Sequence, residues 1–212
     1  MVCTVAEMVI IGGGGHARVI AQLLRRLGHS AGGYVAPSDE GPLAGLPWLG
    51  PDAALRDPQP GMPRQAVLGI GKLVPRSHRV TLMVQMLGWG IQFPALCAST
   101  ACVHDDVMLD AGTVVLDGAV VVTGSRLGRG CIINTHAAVD HDCRLGDDVH
   151  IAPGAVLSGG VTIEDGSMVG TGACIVQGVR VCADVMIGAG ATVARDITTP
   201  GTYVGTPARR LA

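Results

Sequence analysis

From Val103 to Val193 an aliphatic residue stands at every sixth position: Val103, Leu109, Val115, Val121 and so on through Ile187 and Val193, sixteen positions without a miss. Four residues after each sits a small or β-branched side chain, from Val107, Thr113 and Ala119 to Val185, Ala191 and Ile197. A period of six fits neither the 3.6 of an α-helix nor the 2 of a strand. It fits a unit of one short strand and one bend, three of which close a triangular coil of about 18 residues, and sixteen of which make about five coils. Aliphatic residues then stack inside the prism, and small ones fit where the walls approach. Such a solenoid has a thin core, which agrees with 32 glycines and only two Trp, two Tyr and one Phe. Periodicity predicts a β-solenoid and leaves its hand open.

Upstream the pattern changes. MVIIG from Met8 reads as a strand, Gly12 to Gly15 as a turn, and HARVIAQLLRRLG as a helix ending at Gly28. Further strands are expected at 32–36, 66–71 and 90–96, with a second helix at 76–88. This order predicts a small α/β, Rossmann-like domain with a parallel sheet over residues 1–96, followed by the solenoid over 97–212. The Pro/Gly-rich stretch 36–51 reads as an irregular surface loop.

A net charge of −2 offers no electrostatic case for nucleic acid or an anionic membrane. No run of about 18 apolar residues would span a bilayer, and the opening MVCTVAEMVII has neither a basic n-region nor a cleavage site. The chain is therefore expected in the cytoplasm, with small-molecule partners. Seven cysteines, an odd number without a CxxC pair, read as reduced and mostly buried thiols.

Residues 133–161 gather His136, His141 and His150 among carboxylates. His141 lies two residues after inward Val139, in a slot that points outward, between Asp140 and Asp142. A histidine held by a carboxylate suits general-base work, because the partner fixes the tautomer and stabilises the imidazolium. The same spacing also describes a solvated surface histidine beside two acids. Residues 18 apart stack on one wall, so Gly159 is expected one coil from His141, with its backbone N–H beside the ring, placed to bind a thioester oxygen.

These residues resemble the hexapeptide-repeat acyltransferases, whose fold is a left-handed parallel β-helix with active sites between the subunits of a trimer. More narrowly, Asn134, His141, Asp142, Cys143 and His150 resemble the signature of bacterial N-acetyltransferases acting on nucleotide-linked amino sugars. The resemblance implies acetyl-CoA as co-substrate, His141 as base oriented by Asp142, and His150 near the thioester, with Asn134 also on the acetyl-CoA side, where the coil stacking puts Gly159. His136 has no counterpart and is expected to be structural. The closing run YVGTPARRLA resembles the end of CoA-using hexapeptide enzymes through Gly205, Pro207 and Ala208. Arg209 and Arg210 would then meet CoA phosphates or form a basic exposed tail.

The glycine turn suits a phosphate, since glycines let N–H groups approach and a helix N-terminus favours an anion. Val35, Ala36 and Pro37 end the second strand without an acid for a ribose, so a bound NAD is not expected. The resemblance implies that Gly13, Gly14, Gly15 and His16, with Gly71 and Lys72 near the third strand, bind the nucleotide-sugar. Three readings stay open at this level: N-acetylation of a nucleotide-linked, 4-amino sugar; O-acetylation of the sialic acid type; and a non-catalytic or zinc-binding solenoid. No metal is expected on the first two. A homotrimer is expected, because His141 and His150 stand half a coil apart.

Overall fold

In the computed structural model, which describes residues 7–41, 43–57, 61–75 and 77–211, the chain divides into two compact units. One comprises residues up to Gly71 with Thr81–Pro94, the other Lys72–Val80 and the chain from Ala95 onward.

The first unit is a three-stranded parallel sheet with two helices: β1 (Glu7–Ile11), α1 (Gly15–Arg26), β2 (Ser30–Val35), β3 (Gln65–Leu68) and α2 (Arg79–Gly88), in strand order β2-β1-β3. Four consecutive residues of β1 are buried, as a strand covered on both faces requires. Ala17, Ile20, Ala21 and Leu24 form the buried stripe of α1 at helical spacing. Gly28, at φ +76°, ends the helix in a Schellman motif: its N–H donates to Arg25 O and that of His29 to Leu24 O.

Two local expectations change. The strand expected over 90–96 is a single parallel bridge, Gln92 to Gln65, because Pro94 has no N–H with which to continue the ladder. The stretch 36–51 is less free than its composition suggests, since it turns back along β2. There Tyr34 donates to Pro47 O at 3.0 Å, and Leu49 and Ala36 extend the pairing. Gly33 permits this approach, for a Cβ there would stand 2.6 Å from Pro47 O.

In the second unit two-residue strands recur every six residues and pair in parallel with the strands 18 residues before and after, as in Val114, Ile132, His150, Met168. Three walls result. Wall 1 carries Ile132–Ile133 and His150–Ile151, wall 2 Ala138–Val139 and Val156–Leu157, wall 3 Arg144–Leu145 and Thr162–Ile163. Both inward columns read from the repeat form one continuous core, with Val139, Ile151, Leu157, Cys143 and Ala155 each wholly buried. The solenoid starts one repeat earlier than the aliphatic pattern, at Leu96–Cys97, where a cysteine fills the inward slot. It closes with the strand Gly201–Val204, which pairs antiparallel with Arg209–Arg210 across the turn at Gly205 and Pro207.

Of the cysteines among the described residues, Cys131 and Cys143 are buried, Cys97 and Cys182 half-buried, and Cys102 and Cys174 exposed; all six are free thiols. The expectation of mostly buried thiols fails because Cys102 and Cys174 take outward strand positions on wall 2. Cys3 lies outside the described residues.

Candidate active site

The corners of the solenoid locate the site. From residue 112 to residue 190 the second residue of each corner adopts a left-handed conformation, and it is glycine at positions 112, 118, 124 and 130 and again at 154, 160, 166, 172, 178 and 190. The run is broken over one full coil, by His136 (φ 57°), Asp142 (φ 58°) and Asp148 (φ 54°), and once more at Asp184. A side chain there costs on the order of 1 kcal/mol relative to glycine. Three successive corners therefore bear a conformational cost to carry polar groups. The His136 ring lies over Gly118, where a Cβ would come within 2.5 Å of it.

His141 stands at the corner between walls 2 and 3 with 47% of its side chain exposed. Its Nδ1 lies 2.9 Å from Asp142 Oδ2, and its backbone N–H donates to Asp140 Oδ1 at 2.7 Å. A carboxylate only accepts, so Nδ1 carries the proton and Nε2 presents its lone pair. The hydrogen bond to Asp142, then the charges of Asp140 and Asp142, raise the imidazole pKa above its ordinary value. The ring lies directly over Gly159: a Cβ there would collide with Nε2 and stand 2.5 Å from Cε1. No group of the described residues accepts the Gly159 N–H. An imidazole and a backbone amide therefore adjoin on one corner, as the 18-residue stacking implied.

His150 is the opposite case, with 6% exposure at an outward position on wall 1. Nδ1 lies 2.9 Å from Lys72 O, and Nε2 lies 3.1 Å from Asn134 Nδ2. The carbonyl can only accept, so Nδ1 is the donor and Nε2 accepts from the Asn134 amide. That amide is oriented in turn by Thr135 N–H, which donates to Asn134 Oδ1 at 2.8 Å. Burial above all, with the nearby charges of Arg79 and Lys72, pushes the His150 pKa down to about 4. The ring is neutral at physiological pH, and both its nitrogens are engaged within the chain.

Beneath it lies a buried ion cluster that the sequence did not disclose. Asp148 accepts from Lys72 Nζ at 2.7 Å, Ser77 Oγ at 2.6 Å and Arg79 Nη1 at 2.6 Å; Arg79 Nη1 also donates to Gly130 O at 2.9 Å. Lys72 is 1% and Arg79 0% exposed. Lys72, read as a nucleotide-sugar contact, thus has its ammonium committed to Asp148, and its main chain to His150. The signal that could have revealed Asp148 was the gap in the glycine column.

In the first unit, Gly14 caps α1 in an extended conformation, and the first turn of the helix holds no acid, so no carboxylate of that turn offsets the positive dipole end. A Cβ on Gly14 would meet nothing within 4 Å, whereas one on Gly13 would stand 2.6 Å from Glu40 Cγ. His16 packs against Gly71, whose Cβ would lie 3.3 Å away. An acid thus reaches the glycine turn after all, from four residues beyond Ala36. The turn that carries it is organised by buried Tyr34, whose hydroxyl meets Asp39 Oδ1 at 2.7 Å and accepts the Glu40 N–H at 3.0 Å.

Among the described residues no three His, Cys, Asp or Glu side chains converge as a metal site, and no helix is long and apolar enough to cross a membrane.

Comparison with known proteins agrees with this geometry. Residues 7–81 match the PglD N-terminal domain, and residues 124–159 the bacterial transferase hexapeptide family (six repeats). No curated protein matches the sequence. Among solved structures, the H141N mutant of perosamine N-acetyltransferase from Caulobacter crescentus, in complex with CoA and GDP-perosamine, superposes with a TM-score of 0.93 at 32% identity. That match covers 99% of this chain and 98% of the other. The acetyltransferase domain of PglB from Neisseria gonorrhoeae in complex with acetyl coenzyme A follows at 0.89 and 36%, covering 97% and 98%. The chain belongs to the bacterial nucleotide-amino-sugar N-acetyltransferases, hexapeptide-repeat enzymes built on a left-handed parallel β-helix. It is an acetyl-CoA-dependent acetyltransferase whose acceptor is a nucleotide-linked amino sugar.

Proposed function

We propose that His141 is the general base in direct transfer of acetyl from acetyl-CoA to the amine of a GDP-linked 4-amino sugar. The observation that carries this is the outward Nε2 lone pair, fixed by Asp142 and lying over the Gly159 amide. The free amine attacks the thioester carbonyl, and the Gly159 N–H stabilises the developing oxyanion. The nitrogen's proton passes to His141 Nε2, the C–S bond breaks, and the imidazolium returns the proton to the departing thiolate. No acyl-enzyme forms. The Caulobacter protein holds CoA and GDP-perosamine together in H141N and H141A forms, and its replaced histidine bears the same number as this one.

The glycine turn of the first unit takes the nucleotide diphosphate on Gly13, Gly14, Gly15 and His16, with Gly71 beside them. Glu40 offers two acceptor oxygens to a guanine edge. Asn134, held by His150, belongs to the acetyl-CoA side with Gly205, Pro207 and Ala208. Half a coil separates His141 from Asn134 and His150, so a homotrimer would complete each site from two subunits. Wall 2 suits the contact: its outward column is Cys102, Val120, Ala138, Val156, Cys174 and Thr192, without a charge, against Met108, Arg126, Arg144, Thr162 and Arg180 on wall 3. We assign the reaction to the cytoplasm, in keeping with the likeness to CoA-using sugar acetyltransferases.

The test is steady-state turnover of acetyl-CoA with GDP-, UDP- and dTDP-linked 4-amino sugars and their 4-hydroxy counterparts. Turnover of the GDP-amino sugar is expected; preferential acetylation of a hydroxy sugar would select the O-acetyltransferase reading. Gly14→Val, which the open space at that position accommodates, should raise KM for the nucleotide-sugar and leave that for acetyl-CoA unchanged. Mixing refolded His141→Ala and Asn134→Ala chains should recover part of the activity through hybrid interfaces, and an active monomer in light scattering would exclude them.

A further inference from the structure

Residues Lys72–Val80 precede the solenoid in sequence yet pack with it as one unit. Apolar burial does not hold the start of this segment, because Leu73 and Val74 are 79% and 60% exposed. The hold comes from Asp148, whose carboxylate accepts from Lys72 Nζ at 2.7 Å and from Ser77 Oγ and Arg79 Nη1 at 2.6 Å each.

Lys72 also reaches the coil with its main chain, since its carbonyl lies 2.9 Å from His150 Nδ1. Asp148 and His150 stand two residues apart on one coil, so the ammonium and the carbonyl of a single residue are clamped at neighbouring points. A carbonyl only accepts, which fixes the ring proton on Nδ1 and leaves Nε2 as an acceptor.

That tautomer decides how Asn134 is turned. With Nε2 accepting, the Asn134 amide presents Nδ2 to the ring at 3.1 Å and Oδ1 to the Thr135 N–H at 2.8 Å. An amide nitrogen carries two hydrogens. One goes to His150, and the second has no acceptor among the described residues on this half-buried side chain. It is a donor suited to the carbonyl of a thioester or of a pantetheine amide. The opposite tautomer, with the proton on Nε2, would call for Oδ1 at the ring and would take it from Thr135.

We infer that Lys72 is a positioning residue for acetyl-CoA: clamped by Asp148, its main-chain carbonyl sets the donor that Asn134 presents to a carbonyl of the co-substrate. The inference rests on the proposed place of Asn134 on the acetyl-CoA side. Lys72→Met keeps an unbranched stem and leaves Asp148 to Arg79 and Ser77. It should raise KM for acetyl-CoA about tenfold, the scale of one lost hydrogen bond, with KM for the nucleotide-sugar unchanged. Asp148→Asn reads the same clamp from its other side and should match it. Asn134→Ala should raise KM for acetyl-CoA as far, and the double variant with Lys72→Met no further, because both changes remove one interaction. A merely structural role would lower the amount of folded enzyme, and with it the measured kcat, while both KM values stayed at wild type. Nitrogen NMR shifts of His150 give a second readout: Nδ1-protonated in wild type, a mixture of tautomers in Lys72→Met. An unchanged KM for acetyl-CoA in Lys72→Met, a rise in its KM for the nucleotide-sugar, an unchanged His150 tautomer, or multiplying effects in the double variant would overturn the assignment. An unchanged KM for acetyl-CoA in Asn134→Ala would overturn instead the place given to Asn134, and the inference with it.

Discussion

The two histidines nine residues apart on this solenoid occupy opposite environments. His141 stands at an exposed corner, its pKa raised by Asp142. His150 is buried on wall 1, held neutral, with one nitrogen on a carbonyl and the other on an amide. The same residue type, half a coil apart, is thus prepared in one place to exchange a proton and in the other to refuse one. What differs is the partner: a carboxylate stabilises an imidazolium, whereas burial beside two cations disfavours it. His141 is a candidate for chemistry, and His150 fixes Asn134.

The largest expected effect tests the buried side. Asp148→Ala leaves Lys72 and Arg79 without their shared carboxylate, and uncompensated buried charge costs about 3–5 kcal/mol. Urea unfolding should register that loss; a change under about 1 kcal/mol would mean that the cluster does not hold residues 72–79 to the coil.

Next comes acid sensitivity. An unfolded histidine takes its proton near pH 6.5, and folded His150 only near 4. The folded pKa is depressed, so this contribution is complete above pH 6.5 and declines as pH falls toward 4, by about 3 kcal/mol in all. His150→Gln should lower stability at pH 7 and flatten its decline between pH 6.5 and 4. A variant with the wild-type slope would assign that slope to another group.

His141→Ala should lower kcat by about 100-fold while leaving stability and acetyl-CoA binding near wild type. Near wild-type turnover would move the base elsewhere. The smallest effect is expected for Asp142→Asn, which removes the principal cause of the raised His141 pKa. Because the base works deprotonated, the acid limb of kcat should move to lower pH in this variant, with a modest drop at the plateau. A limb that stays in place would separate the pH dependence from His141.

Much of the solenoid was legible because its determinants are local and repeat. A side chain's place inside or outside follows from its position within six residues, and the coil partner of each residue is 18 further on, which is how Gly159 was matched to His141. The gap in the glycine column at His136, Asp142 and Asp148 was equally visible, and it marks the coil that bears the polar groups. The bridge at Gln92 was misjudged as a strand because an apolar run says nothing of how many N–H groups find an edge to pair with.

The sequence by itself determined the coil, its core, the outward slot of His141 and the glycine turn before α1, since each follows from spacing along a few residues or one repeat. Only the tertiary structure decided that Lys72 is buried, that His150 is neutral, and that Glu40 reaches Gly13. Asp148 meets Lys72 and Arg79 across 76 and 69 residues, a separation that no local period encodes. Protonation in such a place depends on which charges and carbonyls the fold gathers around a ring, and the fold gathers them from segments that share no repeat.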